Sequence, residues 1–169
     1  MARALMWTLA VGLLAWTVWL WPDVPARVPV HFGADGQPDA WADRSVWSWF
    51  GLPLVGLALA AGAEAQVRWS LSRPGAPGVN VPGKEAILAL PPQKRAPVLA
   101  RVADVVYGAI AVGLVTLALV QLGVWEAARG GEGARWTLAG LAVAVVGSGA
   151  AVAAGLARVA AELRRQRVA

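Results

Sequence analysis

The sequence has no cysteine, which excludes disulfide staples, thiolate zinc sites and thiol nucleophiles. It has one histidine, His31, and only two lysines, Lys84 and Lys94, beside 13 arginines. With abundant Ala and Gly, that bias fits a GC-rich genome better than a selected chemistry. What is abundant is apolar: 58% of the 169 residues are hydrophobic and mean hydropathy is +0.57. A soluble domain of this size does not sustain such values, so the chain reads as one integral membrane domain, residues 1–169. The net charge of +5 is explained first by membrane orientation, and no nucleic-acid partner is needed for it.

Four apolar stretches, 4–21, 47–66, 102–125 and 136–157, approach the ~20 residues that cross the hydrocarbon core. Each is bounded by Trp, Pro or charge. Trp19, Trp21, Trp47, Trp49, Trp125 and Trp136 are expected in one aromatic belt. The predicted architecture is an all-α four-transmembrane-helix bundle in the lipid bilayer. An ordered extracytoplasmic loop, a small extended hairpin, joins helices 1 and 2. The first stretch is long and rich in Trp, as a retained span is, although Val24-Pro25-Ala26 offers the small residues of a leader cleavage site.

Basic residues distribute unevenly between the segments. The N-terminus has Arg3 and the first loop Arg27 and Arg44; the second loop has Arg68, Arg73, Lys84, Lys94, Arg95 and Arg101. The third loop has Arg129 and Arg135, and the C-terminal end Arg158, Arg164, Arg165 and Arg167. Alternate segments thus hold eleven against four. That asymmetry predicts a bacterial-type inner membrane protein with both termini cytoplasmic and the loop at 22–45 outside.

Within the fourth stretch Gly147, Ala151 and Gly155 recur every four residues, and Gly140 and Ala144 begin a similar ridge. Small residues at this spacing let helix backbones approach closely, within the chain or in a homo-oligomer. Pro53, near the outer end of the second stretch, is expected to cost little, as in a first helical turn. Two intramembrane polar candidates, Glu64 and Asp104, have Arg68 and Arg101 within about a turn. They read as local ion pairs at the interface in preference to a proton- or ion-handling pair. In the inner loop, Ser70 to Gly83 is irregular and Lys84 to Leu90 is a short helix ended by Pro91-Pro92. Residues 93–101 are expected to run into the third span or lie on the membrane. The six basic residues of this loop suit anionic lipid head groups, although orientation alone requires them.

In the outer loop, Pro22, Pro25 and Pro29 exclude helix. Ala34-Asp35-Gly36-Gln37 is a turn signal because Gly36 supplies a positive φ, and Asp43 or Ser45 is placed to cap the second span. The pattern Trp21-Pro22, Val28-Pro29-Val30-His31-Phe32, Gly36 and Asp39-Ala40-Trp41, directly after a first transmembrane helix, resembles the DUF1648 domain. That domain occurs in bacterial membrane proteins, among them the SdpI-like immunity proteins. Asn80, Pro82 and Lys84, in VNVPGKEAILALPP, look like a further stretch of the family, so the resemblance runs over about residues 10–100. It implies an immunity, sensing or accessory role.

The motif formed by Pro29, His31, Phe32, Asp35, Gly36, Asp39 and Trp41 admits four readings. As a recognition element it offers a peptide or membrane-protein partner an aromatic surface (His31, Phe32, Trp41) edged by Asp35 and Asp39. As a metal site, His31, Asp35 and Asp39, with Asp43, would hold a divalent cation, and oxygen-rich spacing suits Ca²⁺ better than Zn²⁺. A membrane enzyme or small transporter would use the same three residues. General-base catalysis, however, needs a nucleophile in reach, and Ser45 and Ser48 fit capping better. As a structural element, His31 would bond a backbone carbonyl or Asp39 and lock the hairpin onto the helix ends. The expectation is a non-enzymatic protein with no catalytic residue and no required cofactor.

Overall fold

The computed structural model describes residues 1–168. Helix α1 (Ala2–Leu20) runs into a 3-10 turn over Trp21–Asp23. Strands β1 (Arg27–Phe32) and β2 (Pro38–Asp43) pair antiparallel, and α2 (Val46–Leu71) follows. After the loop at 72–83 come α3 (Lys84–Leu88), α4 (Pro92–Ala128) and α5 (Ala134–Ala142), then a π-helical turn over Val143–Gly147 and α6 (Ser148–Val168). Four helical segments are long and apolar enough to cross a membrane: Ala2–Asp23, Val46–Leu71, Pro92–Ala128 and Ala134–Arg167. The protein is a four-helix, multi-pass membrane protein with a hairpin between its first two spans.

Helix α4 is the hub, packed against α1, α2, α5 and α6. Its Tyr107, Ala111 and Leu114 meet Met6 and Ala10 of α1 and Ala60 and Ala63 of α2 in one buried cluster. Small residues bring the backbones together there: a Cβ on Gly56 would sit 2.9 Å from Leu114 Cδ2. The glycine ridge of the fourth span also seats on α4. A Cβ on Gly147 would lie 3.1 Å from Val112 Cγ1, and one on Gly155 2.8 Å from Val105 Cγ2. Leu138, Leu141, Val145 and Val146 stay exposed on this span, as suits a lipid-facing surface.

The helices outrun the apolar stretches that announce them. At 37 residues, α4 is ~55 Å long, against the ~30 Å of the hydrocarbon core. Residues 93–101 continue the third span because a second cluster holds them: Ile87 of α3 and Val98 and Val102 of α4 with Val159 of α6.

Two expectations are corrected. Trp49 is not in an interfacial belt with the exposed Trp19 and Trp47; it is 1% exposed. It lies on the inner side of α2, its Nε1 donating to Thr17 O at 3.0 Å and its ring edge-on to Trp125 at 5.9 Å. Pro53 lies in the body of α2, two turns beyond Val46, not in its first turn. A proline there removes the amide that would bond Trp49 O. Gln121 Nε2 of α4 donates to that carbonyl instead, at 3.4 Å.

Candidate functional site

The hairpin closes one end of the helix bundle, and its residues divide into those that fasten it and those that face solvent. Beneath it, Val24 and Val28 join Leu20, Trp49 and Val124 in a buried cluster, with Phe32 and Trp21 packed at its edge. At the base, Arg44 Nη1 donates to Val24 O at 2.9 Å and its guanidinium lies 4.1 Å over the Trp21 ring. Ser45 caps α2, its Oγ accepting from Ser48 N while Ser48 Oγ accepts from Ser45 N. At the tip, Gly33 N donates to Gln37 O and Gln37 N to Asp35 Oδ1. Gly36 adopts φ +77 and is buried against α5, where a Cβ would meet Ala134 O and Leu138 Cγ at 3.1 Å. Only glycine satisfies both the backbone angle and the space.

The register sets Pro29 opposite Trp41 and His31 opposite Ala40, so Val30 has no cross-strand partner and the strand bulges there. Past the bulge, His31 Nδ1 lies 2.5 Å from Asp39 Oδ1, while the two side chains remain 68% and 53% exposed. An ion pair so open to solvent is worth ~0–1 kcal/mol. The pair therefore adds little to the fastening, which the buried residues above already provide.

Beside His31 opens a cavity of about 420 Å³, walled by Pro29, Phe32, Trp47 and Leu52 and floored by Gln121 and Thr137. Its other polar groups are committed. Ser48 Oγ donates to Asp43 O at 2.9 Å, Gln121 donates to Trp49 O, and Thr137 Oγ1 donates to Gly133 O. None of these hydroxyls is poised beside His31 as a nucleophile. Asp35 and Asp39 both approach Gly33: a Cβ there would lie 3.0 Å from Asp35 Oδ1 and 3.5 Å from Asp39 Oδ2. Asp43 pairs with Arg27 at the far end of the hairpin. Among the described residues no group of three His, Asp or Glu side chains stands close enough to hold a metal ion. Trp41, half-exposed on β2, extends the aromatic surface outward.

On the opposite face, Glu64 is buried between Arg3 and Arg68, with Nε–O distances of 2.8 and 2.6 Å, and Trp7 Nε1 at 3.4 Å. Arg3 is the partner that sequence reasoning missed. Its signal is depth: Arg3 and Glu64 occupy the same ends of two antiparallel spans. Asp104 keeps a longer contact with Arg101, 3.6 Å. Asn80 and Pro82 line a separate cavity of about 310 Å³ with Gln66 and Ser70, and Lys84 opens α3.

Residues 8–57 match the family model of DUF1648, a domain of unknown function. The match covers most of α1, the hairpin and the first half of α2, and so the whole His31 motif. It ends short of the 10–100 expected from sequence, leaving Asn80, Pro82 and Lys84 outside it. No curated protein and no solved structure matches the chain.

Proposed function

We propose that the hairpin is a recognition surface for a peptide or membrane-protein partner on the outer face, in a protein that is not an enzyme. What supports this is the exposure of the His31–Asp39 pair on a hairpin fastened by other residues. A polar pair held in one orientation beside an apolar cavity, and flanked by Phe32, Trp41 and Trp47, is the usual makeup of a binding surface: aromatic area with a few fixed polar groups. The resemblance to SdpI-like proteins gives the reading its biological colour, an immunity, sensing or accessory role. The inner membrane with cytoplasmic termini belongs to the same reading and is supported by the eleven-to-four distribution of basic residues.

The test is a pair of variants, His31→Ala and Asp39→Ala, in the full chain. Each is expected to change unfolding free energy by less than ~1 kcal/mol while abolishing rescue of a deletion strain's phenotype. Equal loss of stability and rescue would return the pair to a purely structural role.

A further inference from the structure

A cavity of about 630 Å³ lies between α1, α4 and α6 on the face that carries both termini. Its rim holds Arg101, Asp104 and Arg158, and its depth is lined by Leu5, Gly108 and Ala151. The helix register explains this composition. Gly147 sits against Val112 and Gly155 against Val105, and antiparallel continuation puts Arg101 level with Arg158 and Gly108 level with Ala151. Along both helices seven residues separate the arginine from the small residue, which is ~10 Å of rise. The cavity therefore passes from a charged mouth to an apolar end over the depth of a head group and its first methylenes.

We propose that this cavity binds one anionic phospholipid carrying a single negative charge, of the phosphatidylglycerol type. The phosphodiester sits between Arg101 and Arg158, and the start of an acyl chain lies along Gly108, Ala151 and Leu5. Charge selects this occupant. The lining side chains, two guanidiniums and one carboxylate, carry a net positive charge, and the Met1 amino group beside them adds to it. A phosphodiester with an otherwise neutral head group is drawn to it, whereas a zwitterionic lipid brings an ammonium against two arginines. Arg158 makes no ion pair among the described residues, and Arg101 has only the 3.6 Å contact to Asp104, so neither gives up a close partner to receive phosphate. Space selects a lipid over free phosphate. A Cβ on Gly108 would meet nothing within 4 Å, so the pocket runs on below the charges as an unfilled apolar slot.

Native mass spectrometry of the full chain, titrated with dioleoylphosphatidylglycerol or dioleoylphosphatidylcholine in neutral detergent, tests this. Retention of one phosphatidylglycerol is expected at ~30-fold lower lipid concentration than phosphatidylcholine, the scale set by ~1 kcal/mol for each of the two arginines. Arg158→Gln, and Arg101→Gln with Arg158→Gln, should abolish the preference. Arg164→Gln with Arg165→Gln, on the same face but outside the cavity, should keep it. Gly108→Leu has room to fold, as its melting temperature will verify, and should displace the lipid by filling the slot. Equal retention of both lipids, or equal loss in the Arg164/Arg165 control, overturns the site. If inorganic phosphate alone stabilises the chain as much as phosphatidylglycerol, and Gly108→Leu changes nothing, the cavity takes free phosphate and the lipid is ruled out.

Discussion

The carbonyl of Trp49 shows how one residue's chemistry is settled by another element. Pro53 leaves it without its intrahelical donor, and Gln121, 72 residues away, supplies one within the buried core beneath the hairpin. Gln121→Met keeps the volume but strands the carbonyl, and should lower stability by ~1–3 kcal/mol. In a Pro53→Ala background the restored amide can bond Trp49 O, so the same substitution should cost markedly less. A thermal-unfolding double-mutant cycle reads the difference, and strict additivity would refute the link. Local partnerships of this kind were legible in the sequence where the chain is close to itself: the positive φ of Gly36, the Ser45 cap, and the nearness of His31 to Asp39. The Arg3–Glu64 and Gln121–Trp49 contacts were not, because they depend on which helix faces meet and at what depth. No spacing along one strand of sequence carries that information.

At the level of elements, apolar runs located the four spans but not their ends. Hydropathy reports where lipid lies, whereas a helix continues for as long as its backbone bonds and some packing hold it. For α4 that packing is the small cluster under α3. Ile87, 1% exposed, fills its centre. Ile87→Ala should destabilise this corner by ~2–4 kcal/mol. Limited proteolysis should then cut within 73–83 in the variant at a protease concentration that spares the parent chain. Unchanged cleavage would mean that the loop is held by other contacts. The hairpin's register was likewise hidden: alternation in 28–32 suggested a strand, but not the bulge at Val30 that sets His31 opposite Ala40.

For the molecule as a whole, charge is the strongest asymmetry. The face with both termini carries eleven basic residues and the hairpin face four. The absence of cysteine makes this directly measurable, since any introduced thiol is unique. Asp35→Cys, at the hairpin tip, should react with a membrane-impermeant maleimide in intact cells. Ser72→Cys, at the end of α2, should react only after permeabilisation. The opposite pattern would invert the orientation and, with it, the compartment from which a partner reaches His31.

The fourth span rests chiefly on α4, whereas α1, α2 and α4 contact one another mutually. That pattern predicts that assembly is separable in time. A three-helix unit, complete with the hairpin clamped over its buried tryptophan, has what it needs to close as soon as α4 has entered the bilayer. The last helix then arrives as a wall laid against a finished building. Until it does, Gly36 has no α5 to rest on and the slot beneath Arg101 has no far side, so the hairpin cap matures and the cavity near the termini comes into being at the same moment, at opposite ends of the bundle.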